Sequence, residues 1–541
     1  MRKSATIFLS ALLLLIVLTA SASANCTNVL VSKGATKDGS VFITYSADSG
    51  GYHSILFFLP AGDHTPGELV DAIGWEGEEV RGQVKQVAHT FGIVGLMNEH
   101  QVAIGETTTG GRSELHNEEG MLDYDALIIL TLQRAKTARE AITVMDELVR
   151  EYGYGSEGES FSISDKNEVW LMEIIGKGPG IKGAIWVAAR VPDGCISVHA
   201  NMSRITTFPL DDPENWLYSP DVINFAVEKG WYDPSSGKPF SFREAYHPLN
   251  PRSMRVCAAR VWSVYRRAAP SQSFSDDYHR GVQGSEDYPL FIKPDEKLSL
   301  RDVMYLMRDH FEGTPYDMTQ GIDAGPFASP YRWRGLTWEV DGETYCWERP
   351  ISSQQAGFVM VAQSRSWLPD PVGGVYWYTP DDAYTTAFTP LYCGITEVPR
   401  SFTVGSIERF SLDSAWWACN FVSNLAYDRW SRIFPDVQAV RDKLEGSFLA
   451  MMPVVDKTAA ELAAQDSELM KQYLTTYSVS TGEQLIERWR ELGAEIVTKH
   501  IDGFVVDEEG RSQGVGYPVE WLRRVIKENP EQFRIPKWEE K

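Results

Sequence analysis

Cysteine and histidine are both scarce in this chain, with six and ten copies among 541 residues. No two cysteines form a CxxC pair, which removes the common zinc and redox frameworks. No H-E-x-x-H occurs and no two histidines stand at helical ligand spacing, so a helix-borne metal hydrolase lacks its donors. Positive charge is short as well: 51 Lys and Arg face 74 Asp and Glu, a net charge of −23. That field disfavours nucleic acid and anionic membrane as partners. Internal repeats and low-complexity tracts are absent. Gly510–Gly514 reads G-x-S-x-G, but no histidine follows Ser512, so the chain order of an α/β-hydrolase triad cannot be completed. The glycines of Gly176–Gly180 lack the dinucleotide fingerprint and read as a loop. Aromatic residues are plentiful, at 12% with 17 Trp, and permit a substantial core.

The first residues read as an export signal. Arg2 and Lys3 make a positive head, Ile7–Leu18 is a compact apolar run, and Ala22-Ser23-Ala24 supplies small residues for cleavage. The run is short for a membrane span. A lipid anchor on Cys26 is an alternative, but Asn25 stands where a small residue is wanted. The expectation is a signal peptide over 1–24, an exported (periplasmic or extracellular) protein, and no stable membrane insertion after cleavage.

Cleavage after Ala24 and loss of Asn25 would make Cys26 the N-terminus. There its thiol is a nucleophile, and its own α-amine, with a pKa of about 7.7–8.0, is a base that needs no histidine. The alternative is a disulfide or a buried thiol. With Cys26 as nucleophile, the remaining cysteines are Cys195, Cys257, Cys346, Cys393 and Cys419, an odd set. Thr27–Ser32 and Val41–Tyr45 read as strands around the turn-rich Lys33–Gly39. A hairpin symmetric about Lys37 sets Cys26 opposite Asp48, roughly 5–6 Å apart between α-carbons. Asp48 then either holds the α-amine or caps a strand end; a slip of one residue would turn it to the other face.

Farther on, 90–111 reads as two strands around Asn98-Glu99, and Leu122–Lys136 as a helix. Thr137 and Glu140 read as a capping box for a helix with an apolar face of Ile142, Met145, Leu148 and Val149. Residues 159–176 read as a hairpin turning at Asp165–Asn167, and 183–205 as another turning at Asp193-Gly194. Gly313–Pro330 reads as loop and Ala459–Leu492 as strongly helical. Hairpins between paired helices indicate layered α+β architecture with antiparallel sheets.

Several stretches, in order, resemble the dipeptidase A type of cysteine peptidase: 26–49 ("CTNVLVSKGATKDGSVFITYSADS"), "MNEHQVAIGETTTGG", 137–178, "VAARVPDGCISVHANMSRI" and "GTPYDMT". These are N-terminal-nucleophile hydrolases, similar to secernins, penicillin V acylases and bile salt hydrolases. The resemblance implies a four-layer αββα sandwich over 26–430, with a mostly helical C-terminal extension over 431–541 packed on it. It also implies Cys26 as nucleophile, Asp48 as the group holding its amine, Asn201 as an oxyanion donor, and Arg255, with Arg252 nearby, as the second arginine of the acylases. Two positions depart from the acylases: Tyr45 stands where they have arginine, and Glu106 where they have asparagine. This favours the dipeptidase branch. Glu106 is then a candidate for the substrate ammonium and Arg255 for its carboxylate, by charge alone. The expected reaction is hydrolysis of dipeptides through an acyl-thioester, with no metal or cofactor. An amide acylase and a non-catalytic secreted binding protein are the alternatives, and a homo-oligomer is left open.

Overall fold

A computed structural model of the chain describes residues 26–538 apart from 75, 76, 78 and 79. The expected signal segment and Asn25 lie outside the described residues. The main strands in chain order are β1 (Asn28–Val31), β2 (Val41–Asp48), β3 (Phe58–Leu59), β4 (Ile93–Val94), β5 (Met97–Asn98), β6 (Ala103–Gly110), β7 (Gly158–Ser164), β8 (Val169–Gly176), β9 (Ala184–Arg190), β10 (Ile196–His199), β11 (Trp216–Tyr218), β12 (Ala356–Ser364), β13 (Val375–Pro380) and β14 (Thr389–Tyr392). The helices used below are α1 (Tyr124–Leu132), α2 (Ala138–Tyr152), α3 (Ala259–Ala268), α4 (Ala415–Asp428), α5 (Trp430–Ala463) and α6 (Ser467–Lys499).

The architecture is mixed α+β. Two antiparallel sheets dominate, a six-stranded one in the order β10-β1-β2-β12-β13-β14 and an eight-stranded one in the order β11-β9-β8-β7-β6-β5-β4-β3. Strand β2 contacts β6 and β7, so the two sheets meet. Helix α1 contacts β6 and α2 contacts β7, β8 and β9, while α3 contacts β10, α4 contacts β13, and α5 and α6 contact β14. Strands β2, β7 and β8 are buried along their whole length, which accounts for the continuous apolar run Val169–Met172.

Local chemistry sets many boundaries where the sequence places them. Ser164 pairs with Val169 across the turn at Asp165–Asn167, whose Asp165 carboxylate accepts from the N–H groups of Asn167 and Glu168. Thr137 caps α2 by accepting from Glu140 N–H; the Glu140 carboxylate takes the Lys136 N–H instead of returning to Thr137. The long C-terminal helical stretch is broken at 464–466, where Asp466 caps α6.

Two expectations are corrected. Residues 184–199 do not form a hairpin: β9 pairs with β8, whereas β10 leaves that sheet and pairs with β1. Gly194, at φ +81°, permits the reversal, and the local sequence does not specify which sheet receives the outgoing strand. In the first hairpin Leu30 pairs with Ile43 and Thr27 with Ser46, one residue short of symmetry about Lys37. The cause is the tight turn Lys33–Ala35, followed by a bridge from Thr36 to Leu298.

His199 ties the sheets together. It hydrogen-bonds Thr107 of β6 and Ser162 of β7, each at 2.7 Å, and Ser162 also accepts from Asn28 of β1. Gly105 makes the approach possible: a Cβ there would lie 2.7 Å from Asn28 Nδ2. No helix among the described residues is long and apolar enough to cross a membrane.

Candidate active site

Cys26 lies just before β1, buried between the sheets. Neither it nor any of the other five cysteines is in a disulfide. Its Sγ lies 3.5 Å from Glu106 Oε1 and 3.8 Å from the Tyr45 hydroxyl. Tyr45 donates to the same Glu106 oxygen at 2.5 Å. Thiol, phenol and carboxylate thus form one buried cluster, built from the residue just before β1, from β2 and from β6.

Burial pushes the Cys26 thiol well up, and the Glu106 and Asp48 carboxylates add to this; the Asp48 backbone N–H and the Tyr45 hydroxyl pull the other way. Burial also raises Glu106, against hydrogen bonds from Glu159, Tyr45 and Cys26. Glu159 is raised further by burial and then by the Glu106 charge. Two buried carboxyl groups hydrogen-bonded to each other hold a proton between them. These surroundings favour the neutral thiol of Cys26 over its thiolate.

Asp48 lies beside this cluster despite the shifted register, because its backbone N–H bonds the sulfur. Its carboxylate accepts from Arg349 at 2.6 Å and from Ser46. Burial raises its pKa, and the Arg349 and Arg260 guanidiniums oppose that.

Asn201 follows β10 in left-handed backbone, φ +57°, a conformation asparagine tolerates better than most residues. Its Nδ2 donates to Thr108 O at 2.9 Å and its Oδ1 accepts from Arg260 at 3.0 Å. Arg260, on α3, also donates to Cys26 O at 2.6 Å and to the Thr27 hydroxyl at 2.8 Å. It therefore joins the Cys26 backbone to the Asn201 amide.

Arg255 is placed differently. It pairs with Glu348 at 2.5 Å and donates to Cys346 O, so its partners are not Cys26, Thr27 or Asn201. Arg255 lies in the π-helical turn Met254–Ala258 that leads into α3, five residues before Arg260 and so on another face of the helix. The sequence reading therefore brought Cys26, Asp48, Glu106 and Asn201 together but missed Arg260, Arg349 and Glu159. One signal for Arg260 was available: it interrupts the apolar run Val256–Trp262, a poor setting for an arginine without a buried task.

A profile of Peptidase family C69 matches residues 73–443. The chain belongs to that family. Within the matched C69 region lie Glu106, Glu159, Asn201, Arg255, Arg260 and Arg349, while Cys26 and Asp48 precede it. Among curated relatives, a "Probable dipeptidase" of Latilactobacillus sakei is 26% identical over 85% of this chain and 96% of its own length. A "Probable dipeptidase" of Salmonella dublin is 25% identical over 71% of this chain and 84% of its own. "Dipeptidase A" of Lactobacillus helveticus is 24% identical over 76% and 84%. Family membership makes this chain a peptidase, and hence a hydrolase.

Proposed function

We propose that this chain is an exported dipeptidase that acts through Cys26 once residues 1–25 are removed. The observation that carries the reading is the 3.5 Å approach of Glu106 to the Cys26 sulfur. In a dipeptide the ammonium nitrogen stands about 2.5 Å from the carbonyl carbon under attack, and that carbon must come within about 3.5 Å of the sulfur. An ammonium group adjacent to the scissile bond thus has to sit near the carboxylate that touches the nucleophile. The names of the C69 relatives agree with such a substrate.

In the proposed reaction the freed α-amine of Cys26 takes the thiol proton and Asp48 orients the resulting ammonium. The sulfur bonds to the carbonyl carbon, and the oxyanion is held by the Asn201 amide and a backbone N–H near Glu106. The C–N bond then breaks and the leaving nitrogen takes the proton from the α-ammonium; water attacks the thioester as the α-amine takes its proton, and the C–S bond breaks to release the free acid and return that proton to the sulfur. Arg260, rather than Arg255, is the arginine proposed to hold Asn201 and the Cys26 carbonyl in place. The contacts of the two sheets with each other and with separate helix groups support a four-layer αββα arrangement, proposed for 26–430, with 431–541 as the helical extension.

The test is kcat/KM for one dipeptide and its N-acetyl form, on protein whose N-terminal residue is verified as Cys26, with penicillin V and a conjugated bile salt as controls. The acetylated form should be cut about 10²-fold more slowly, because it leaves Glu106 buried without its cation. Equal rates, or faster turnover of either control, would place the chain with the amide acylases.

A further inference from the structure

The surroundings of Cys26 are bipolar. On one side stand the carboxyl groups of Glu106 and Glu159. On the other, among the described residues, the Asp48 carboxylate faces the Arg349 and Arg260 guanidiniums. Arg349 bonds it directly at 2.6 Å, and Arg260 adds its charge.

A third cation, Arg334, belongs to the same group. It comes from the segment that leads into the hairpin Thr337–Val340 and Glu343–Cys346. Its guanidinium donates to the Ser353 hydroxyl at 3.2 Å. Ser353 is buried, three residues before Ala356, which pairs with Asp48. Burial lowers the Arg334 pKa to about 10, the Arg349 charge adds to this and Asp48 opposes it, while the residue as a whole keeps solvent-accessible surface. Among the described residues it makes no ion pair with a carboxylate. The Asp48 end of the site therefore carries surplus positive charge, and Arg334 is its accessible member.

A dipeptide zwitterion has the matching polarity. Its carboxylate carbon lies three bonds beyond the attacked carbonyl carbon, within about 4 Å, on the side away from the ammonium. With the ammonium at Glu106, the carboxylate is directed towards the cationic end. We infer that Arg334 is the specificity residue that binds the carboxylate of the leaving amino acid and so restricts the enzyme to substrates one peptide bond long. A longer peptide would present a neutral amide there, leaving the guanidinium without its anion. This inference rests on the dipeptidase reading above.

The experiment compares a dipeptide with its C-terminal amide on processed wild-type enzyme, R334Q and R334K. Wild type should prefer the free acid. In R334Q the acid-to-amide ratio of kcat/KM should fall on the order of 10- to 100-fold, the range of a hydrogen bond between charged groups, and R334K should keep part of the preference. Melting curves of all three proteins are recorded alongside, and the ratio is read on variants that still melt cooperatively. If wild type cleaves dipeptides but R334Q loses acid and amide equally, or keeps the wild-type ratio, the assignment of Arg334 is overturned while the dipeptidase reading stands. If wild type cleaves no dipeptide, both fall.

Discussion

Arg260 fills its five N–H donors with neutral acceptors: the carbonyls of Val256, Cys26 and Ala200, the Thr27 hydroxyl and Asn201 Oδ1. Burial lowers its pKa to about 10, and nearby Arg349 adds to this, so it remains charged at neutral pH. Such a residue is costly to place and costly to remove, because its loss orphans buried acceptors at the nucleophile and at Asn201 together. R260A should destabilise the protein by about 3 kcal/mol or more and abolish turnover. R255A, which breaks a partly exposed pair with Glu348, should cost less than about 1 kcal/mol. Denaturant melts and turnover of both variants provide the check; the reverse ranking would return the positioning role to Arg255.

At the scale of elements, the join between the two sheets is polar and sensitive to acid. His199 of β10 is fully buried, and burial, followed by the Arg204 and Arg260 charges, lowers its pKa to about 3. In the unfolded chain the value is about 6.5. Between these two values the unfolded state binds the extra proton, so stability is full above about pH 6.5 and falls by about 1.4 kcal/mol per pH unit below it. His247, lowered by burial to about 3, acts in the same direction. Urea melts at pH 7 and pH 5 should show this loss in wild type and a smaller one in H199Q. The glutamine amide can still meet Thr107 or Ser162, so the variant should fold. An unchanged pH dependence in H199Q would separate the acid sensitivity from this residue.

Over the whole molecule, α5 and α6 are tied into the sheets by buried charge. Arg308 pairs with Glu445 of α5 at 2.6 Å, and Glu445 also accepts from Phe388 N–H. Arg365, just after β12, pairs with Asp456 of α5. Ser478 of α6 accepts from Tyr392 N–H of β14. Removing 431–541 would leave Arg308 and Arg365 without these carboxylates and uncover β14. The truncated chain should therefore fail to give a soluble, cooperatively melting protein, and E445A should cost about 3–5 kcal/mol. Recovery of a folded, active 26–430 fragment would show that the extension is separable.

What the sequence determined by itself was short-range. Turn residues and caps placed β7, β8 and the start of α2, and the position of Cys26, with the stretches around Asp48, Glu106 and Asn201, named most of the candidate site. The turns and caps are decided within a few residues of chain by backbone geometry, whereas Glu106 and Asn201 were named by the resemblance to the dipeptidase A type. The tertiary structure decided three other things. It sent β10 into the sheet opposite β9, because a strand pairs with whichever exposed edge offers both register and burial. It put Arg260 rather than Arg255 against Cys26, because residues five apart on a helix point about 140° apart and only the sheet packing decides which of them faces the site. It brought Arg349 from some 300 positions away to Asp48 and set Arg334 on the nearby Ser353 hydroxyl. Charges so distant in sequence leave no periodic trace; their partnership exists only once the sheets have closed around a low-dielectric site in which each buried charge must be met.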